Sequence, residues 1–388
     1  MTWTVVYFDH TGRLGGAERS LVDLTTRLDR SLVRPVVVVG GDGPLTGTLR
    51  RSGVAARVLP IDPWISGASR GRPLALLARA LRPGPFLSAA RGLARVLEEE
   101  GASLLHTNSQ KAHWIGLLAA RLARRPVVWH FRDILEPGLL RWVSRGGSRL
   151  TTATIAISGA VRETLCVAGA GARIVVVHNG IAARPARSPR TQGPPRVGMV
   201  GQLARWKGPE VFLEAAALVA GSRPDVRFSL VGGVLFPEAE GDYEAVLRRR
   251  AVELGVADRV RFEGPVDDAG ALMDSFDVLV HPPIRPEPFG RVLVEAMLAG
   301  LPVVASTAGA AGEIAVEGET GRIVPDGRPG ELAGAVLDLL ADPERAAAMG
   351  AAGRRRALDR FSIERTVEGV QAVYRSILGS PPVQSPGP

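Results

Sequence analysis

The stretch "MVGQLARWKGPEVFLEAAALVA", residues 199–220, reads as the end of an apolar strand, a glycine-punctuated loop, and a helix opening near Pro209. Proline suits a first helical turn, and the alanine-rich run behind it keeps an apolar face. A strand apolar on both faces that feeds a helix is the unit of a parallel sheet covered on both sides. The pattern repeats along the chain. Upstream lie "TVVYF", "PVVVVG", "RVLPI", "SLLHTN", "PVVWHF", "TATIAIS" and "RIVVVHNG"; downstream come "RFSLVGG", "RVRFEGP", "DVLVHPP", "PVVAS" and "GRIVPDG". Alternation of such strands with helical segments predicts doubly wound α/β sheets.

A chain of 388 residues is about twice one ordinary domain, so the pattern predicts two such domains. Residues 182–196, "AARPARSPRTQGPPR", are rich in Pro and Arg without periodicity and read as the connection between them. The first domain is placed at residues 1–185 and the second at 186–361. Two α/β domains with cleft-forming carboxyl edges are expected to face one another and to bind ligand there. The tail at 380–388 has the composition of a disordered segment. No secretory leader or 18-residue apolar run is evident, and one cysteine, Cys166, allows no internal disulfide.

Residues 1–190 hold 27 Lys+Arg against 12 Asp+Glu, a net of +15, whereas residues 191–388 net −6. The first half is therefore expected to meet something anionic. Nearly all the basic residues are arginine; lysine stands only at Lys111 and Lys207. A chain that keeps lysine in the loop after a strand end offers a compact ammonium there, suited to a diphosphate.

The strongest local signal is "PEPFGRVLVEAMLAG", residues 286–300. Pro288 suits a first helical position, Gly290 permits close approach to helix N–H groups, and the helix start favours an anion. Glu287 before the helix and Glu295 about two turns inside it are separated by at most ~12 Å of helix rise. Carboxylates so placed suit a ligand with hydroxyls at both ends and phosphates between them, a sugar nucleotide. The apolar setting of Glu295 argues for a partner, because an unpaired buried carboxylate is costly.

With "GGAER", "GQLARWKG", "LVGG", "TAGAAGEI" and "EGETGRIVPDG", this glutamate pair resembles the retaining GT-B glycosyltransferases, family four (glycosyl transferases group 1), over nearly the whole chain. The resemblance implies two Rossmann-like domains, transfer of a hexosyl group from a nucleotide donor with retention, no metal and no cofactor beyond the donor itself. It implies catalytic roles for Lys207 and Glu287, with Lys207 at the diphosphate and Glu287 at the donor sugar. Donor contacts implied are Gly15, Gly16, Gln202, Arg205, Phe289, Gly290, Arg291, Glu295 at the ribose, Gly309 and Gly312. Gln202 departs from the pattern, which has an arginine there; Arg205, three residues on, is a candidate substitute at an unmatched position. The family's histidine near the reacting carbon is matched by either His130 or Arg132 in "RPVVWHFRDIL", and the resemblance implies a catalytic role for each. The helix at residues 362–379 is implied to cross back to the first domain.

Polar groups at two strand ends suit the acceptor: His106, Asn108, Ser109 and Lys111 at one, Asp133 at the other. Residues 63–97 contain six arginines, no acid, and Trp64, Leu77, Leu81, Phe86 and Leu87. Such a basic amphipathic surface suits an anionic membrane face. The expected acceptor is a lipid-linked or cell-surface saccharide, and the expected location is the cytoplasm, peripheral on the inner face of the plasma membrane. The donor is expected to be UDP- or GDP-linked. Alternatives are a sugar-nucleotide 2-epimerase of the same architecture and a natural-product glycosyltransferase with a small-molecule acceptor. A nucleic-acid binder is disfavoured, because aromatics are 5% of the chain and the second-half constellation would stay unexplained. The absence of Asp-x-Asp and of a Cys/His ligand cluster disfavours metal-dependent chemistry.

Overall fold

In the computed structural model the chain divides into two compact α/β units: Met1–Gly180 together with the chain from Ile363 on, and Ile181–Ser362. The structure describes residues 2–62, 65, 83–166, 174–187, 193–235, 240–266 and 268–379. Much of the basic segment, with Trp64, Leu77 and Leu81, lies outside the described residues, as does the tail at 380–388. The described part of that segment is Ile65 and the helix Pro83–Glu99, on which Phe86 and Leu87 are half-buried.

The first unit is a seven-stranded sheet of β1 (Trp3–Asp9), β2 (Val33–Val39), β3 (Ala55–Val58), β4 (Leu104–Thr107), β5 (Val127–Phe131), β6 (Ala153–Ala156) and β7 (Ile174–Val176). Their order is β3-β2-β1-β4-β5-β6-β7, and every pairing is parallel. β1 registers Val5 against Leu104 of β4 and Val36 of β2 against its own Val6. Runs such as Val36–Val39 are buried on both faces, as a helix-covered parallel sheet requires.

The second unit is a six-stranded parallel sheet of β8 (Arg196–Val200), β9 (Arg227–Val231), β10 (Val260–Gly264), β11 (Val278–His281), β12 (Val303–Ser306) and β13 (Gly321–Val324), ordered β10-β9-β8-β11-β12-β13. Its core packs Phe212, Leu213 and Val219 of the helix Pro209–Ser222 against Val197, Met199 and Val280 of the sheet. In both units the strand order reverses beside the first strand, between β1 and β4 and between β8 and β11. The loops leaving those neighbours diverge, which opens a crevice at their carboxyl ends.

The segment read as a connection behaves differently over its first half. Ile181 bridges to Ser362, the Arg187 N–H bonds the Ala299 carbonyl, and the Arg184 guanidinium meets Asp274 at 2.6 Å. Residues 181–187 are therefore tied into the second unit by hydrogen bonds that composition does not reveal. The last helix, Ile363–Leu378, lays Val367, Val370, Val373 and Tyr374 into the first unit, and Thr366 Oγ1 donates to the His178 carbonyl.

Candidate functional site

At the switch point of the second unit, the loop after β8 carries Lys207 and the loop after β11 carries Glu287, 80 residues apart in sequence. Backbone contacts hold the two loops together: the Ile284 N–H donates to the Trp206 carbonyl at 2.9 Å. The Lys207 ammonium donates to Glu287 Oε2 and lies 4.3 Å from the Trp206 ring centre. His281, the last residue of β11, places Nε2 3.6 Å from the same carboxylate oxygen, close enough for attraction and just beyond hydrogen-bond reach. Glu287 is 7% exposed. Burial alone would raise its pKa, but Lys207, followed by His281, reverses this and holds the carboxyl at about 2. Burial lowers the His281 pKa, partly opposed by Glu287, so the imidazole leans towards its neutral form.

The backbone of Glu287 is strapped in place. Its N–H donates to the Ala308 carbonyl, and its carbonyl accepts from Ala310 N–H at 2.9 Å. Gly309, between them, has φ +84°, and a Cβ there would stand 2.2 Å from the Glu287 carbonyl oxygen. Only glycine fits. Gly309 thus seats Glu287, whereas Gly312 is exposed in the short helix Ala311–Ile314.

The helix bearing Glu295 starts later than Pro288 suggests. It runs Arg291–Ala299, with Gly290 as its N-cap at φ +91°. The bridge between Glu287 and Gly309 keeps the preceding residues extended, so the helix opens only after the glycine turn. Glu295 is consequently its fifth residue, just over one turn in. It is half-buried, and Arg291 Nη2 lies 3.5 Å from Oε1. Phe289 is buried edge-on against Phe361 at 5.9 Å between ring centres, which leaves its side chain in the core. Gln202 is half-buried in the loop after β8. Arg205 is exposed, stacks 4.5 Å over the Tyr243 ring and faces Glu210 at 3.4 Å.

The first unit builds a second polar cluster where β1 and β4 part. Asp9 Oδ2 accepts from Asn108 Nδ2 at 2.7 Å, which turns the Asn108 carbonyl towards Arg132. The guanidinium of Arg132 donates from Nε to Asn108 Oδ1 and from Nη1 to Asn179 Oδ1, each at 2.7 Å. Its Nη2 reaches His130 Nδ1 at 3.3 Å. Ser109 Oγ meets His10 Nδ1 at 2.7 Å. Burial and the neighbouring Arg132 hold the His130 pKa well below its ordinary value. The same causes bring His106 to about 3. Among the described residues His130 Nε2 has no hydrogen-bond partner.

His106 is fully buried with both ring nitrogens engaged, Nε2 with His130 at 3.1 Å and Nδ1 with Tyr374 Oη at 2.7 Å. That leaves neither ring nitrogen open to an acceptor. Lys111 sits in the first turn of the helix Gln110–Leu122, and Asp133 follows β5; both are half-buried. Gly15 caps the helix Gly16–Arg27, its N–H donating to Glu18 Oε2 at 2.9 Å. Burial and the nearby Asp9 raise the Glu18 pKa to about 7.

Sequence reasoning passed over Asp9, Glu18, Asn179, His281 and Tyr374. Asp9 and His281 did carry a signal, since each closes a strand that otherwise holds no acidic, basic or imidazole side chain. Asn179 and Tyr374 enter by tertiary contacts alone. No group of three or more His, Cys, Asp or Glu that could hold a metal ion occurs among the described residues.

The family model "Glycosyltransferase Family 4" matches residues 14–184, and "Glycosyl transferases group 1" matches residues 182–356. A phosphatidyl-myo-inositol mannosyltransferase of Mycobacterium leprae (strain TN) is 33% identical over 334 residues, 80% of this chain and 86% of that protein. A GDP-mannose-dependent alpha-(1-6)-phosphatidylinositol monomannoside mannosyltransferase of Mycolicibacterium smegmatis is 37% identical over 175 residues, 43% of this chain and 44% of that one. The crystal structure of Anabaena Alr3699/HepE in complex with UDP-glucose superimposes with TM-score 0.80 at 29% identity, covering 96% of this chain and 99% of that one.

Proposed function

This chain belongs to the retaining GT-B glycosyltransferases of family four, and we propose that it moves a hexosyl group from a nucleoside diphosphate donor to a lipid-linked acceptor. The observation that carries the reading is the Lys207–Glu287 pair, its carboxylate buried and its ammonium half-buried, at the switch point of the second unit, next to a helix start opened by Gly290. In this reading Lys207 is a stored cation. It neutralises Glu287 in the empty site and turns to the diphosphate when donor arrives. Glu287, already ionised and fixed through its backbone, accepts hydrogen bonds from sugar hydroxyls. Glu295 takes the ribose diol, and the helix N–H groups face phosphate oxygens.

Retention follows from geometry rather than from a dedicated base. The acceptor hydroxyl approaches the face of the anomeric carbon from which the diphosphate departs. The bond from that carbon to the phosphate oxygen breaks with its electron pair going to the leaving group. A new carbon–oxygen bond forms, and a departing phosphate oxygen takes the hydroxyl proton. The protein supplies charge stabilisation and alignment. Ser109, Lys111 and Asp133 are assigned to the acceptor side; Asn108, fully buried with its amide engaged by Asp9 and Arg132, orients Arg132 instead, and His130 with Arg132 is assigned to the transferring sugar.

Relatives with differently named nucleotides, UDP-glucose for one and GDP-mannose for another, make a mixed panel the right test. Incubation with UDP- and GDP-hexoses and a phosphoinositide acceptor should release nucleoside diphosphate with acceptor present and give a product of unchanged anomeric configuration by NMR. An inverted product, or a donor epimerised without acceptor, would refute the reading.

We also place the enzyme in the cytoplasm, on the inner face of the plasma membrane. No described helix is long and apolar enough to cross a membrane. The net +15 of residues 1–190 supports surface attachment, as do Leu139 and Trp142, exposed beside Arg141 and Arg145. Flotation with phosphatidylinositol-containing liposomes at physiological salt should carry the protein upward; failure to float would remove this part of the proposal. The excess of base is assigned to lipid, with no nucleic-acid partner.

A further inference from the structure

Four side chains from distant parts of the first unit form one continuous line of hydrogen bonds: Tyr7 of β1, Tyr374 of the last helix, His106 of β4 and His130 of β5. The contacts are Tyr7 Oη to Tyr374 Oη at 2.8 Å, Tyr374 Oη to His106 Nδ1 at 2.7 Å, and His106 Nε2 to His130 Nδ1 at 3.1 Å. All four residues are fully buried. Resting on the assignment of His130 to the transferring sugar, we propose that this line is a positioning relay that fixes His130 as a neutral imidazole carrying its proton on Nε2.

The direction of each bond follows from one charged end. Arg132 only donates, and its Nη2 lies 3.3 Å from His130 Nδ1, so that nitrogen must be an acceptor. His106 Nε2, aimed at the same atom, must then donate too, the two donors sharing the one lone pair of that nitrogen, because two facing lone pairs would repel. A neutral His106 that donates from Nε2 accepts at Nδ1. Tyr374 therefore donates to it, which spends the Tyr374 proton and makes Tyr7 the donor to Tyr374. Every proton in the line has one place to be.

The free end is His130 Nε2, buried and without a partner among the described residues. A buried polar N–H in that condition is costly until something accepts from it. A sugar hydroxyl is the kind of acceptor that recovers this. Burial reinforces the assignment, since it disfavours the imidazolium on both rings and the phenolate on both tyrosines. The consequence for the reaction is a donor that neither titrates nor switches tautomer near neutral pH. Tyr374 gives the C-terminal helix a part in that outcome: it arrives from the far end of the sequence to hold a ring beside the chemistry.

The test combines spectroscopy and kinetics on the full chain. With 15N-labelled histidine, and His130→Gln used for assignment, the nitrogen–proton correlation pattern of His130 should be that of the Nε2–H tautomer throughout neutral pH. A Nδ1–H tautomer or an imidazolium would overturn the proposal. His106→Leu removes the shorter of the two donors to His130 Nδ1, leaving Arg132 Nη2, and should lower kcat about tenfold, the loss of roughly one hydrogen bond. Affinity for the bare nucleoside diphosphate should not change. His106→Gln presents an amide N–H to His130 and a carbonyl to Tyr374, and should restore most of that loss. Equal defects in a folded His106→Gln and His106→Leu would overturn the relay. His130→Ala separates the two levels: full turnover in that variant would refute the assignment of His130 to the sugar, while the spectroscopic result would still decide the direction of the hydrogen bonds.

Discussion

Replacing Lys207 by methionine tests the centre of the site without any substrate. Methionine keeps most of the side-chain volume and removes the charge, leaving Glu287 buried beside an apolar chain. Glu287 is held at about 2 against an ordinary value of 4.5, and Lys207 is the largest attractive cause. At 1.36 kcal/mol per pKa unit this depression is equivalent to about 3 kcal/mol of stability at neutral pH. Breaking a buried pair from one side costs on the order of 3–5 kcal/mol, which agrees. The sign is that of a depressed carboxylate: the contribution is full above the unfolded value and is lost as pH falls from about 4.5 towards 2. Lys207→Met should therefore destabilise the second unit by about 3 kcal/mol at pH 7 and by clearly less at pH 4. Trp206 is that unit's one tryptophan, so urea unfolding followed by its 19F resonance after fluorotryptophan labelling isolates the transition. Adding Glu287→Gln should recover part of the loss, because the uncompensated charge disappears. A loss below about 1 kcal/mol, or strictly additive single and double variants, would refute the reasoning.

Three further outcomes are expected. Gly309→Ala would drive a methyl into the Glu287 carbonyl at a positive φ; it should cost at least about 1 kcal/mol and reduce turnover while Kd for nucleotide changes less, measured by calorimetry. Glu295→Ala should abolish most of the thermal stabilisation given by a nucleotide sugar, and an unchanged shift would remove the ribose role. Because His106 is depressed to about 3, and His113 and His130 also lie well below the ordinary range, the unfolded chain binds more protons below about pH 6.5. First-unit stability should then fall on acidification by up to about 1.4 kcal/mol per pH unit for each histidine, and His106→Gln should lessen the slope in urea titrations.

The residue pattern alone was enough for the fold class. Thirteen short apolar strands alternating with helices leave few arrangements besides doubly wound parallel sheets, because strands apolar on both faces need cover on both. It also marked Lys207, Glu287 and Gly290, where rare lysine and a Pro-Glu-Pro-Phe-Gly turn interrupt the pattern. What it did not determine is how these residues are used. The pairing of Lys207 with Glu287 spans 80 residues and exists because β8 and β11 are neighbours at the reversal of strand order. Gly309 became the seat of Glu287 through a bridge between two loops, and the same bridge moved the helix start from Pro288 to Arg291. His106, legible only as a polar residue at a strand end, turned out to serve His130 because Tyr374 returns from the last helix to fill its other nitrogen. Periodicity is a local property and survives in one dimension. The partner of a buried polar atom is chosen by which strands and helices lie side by side, and that choice is made only in three dimensions.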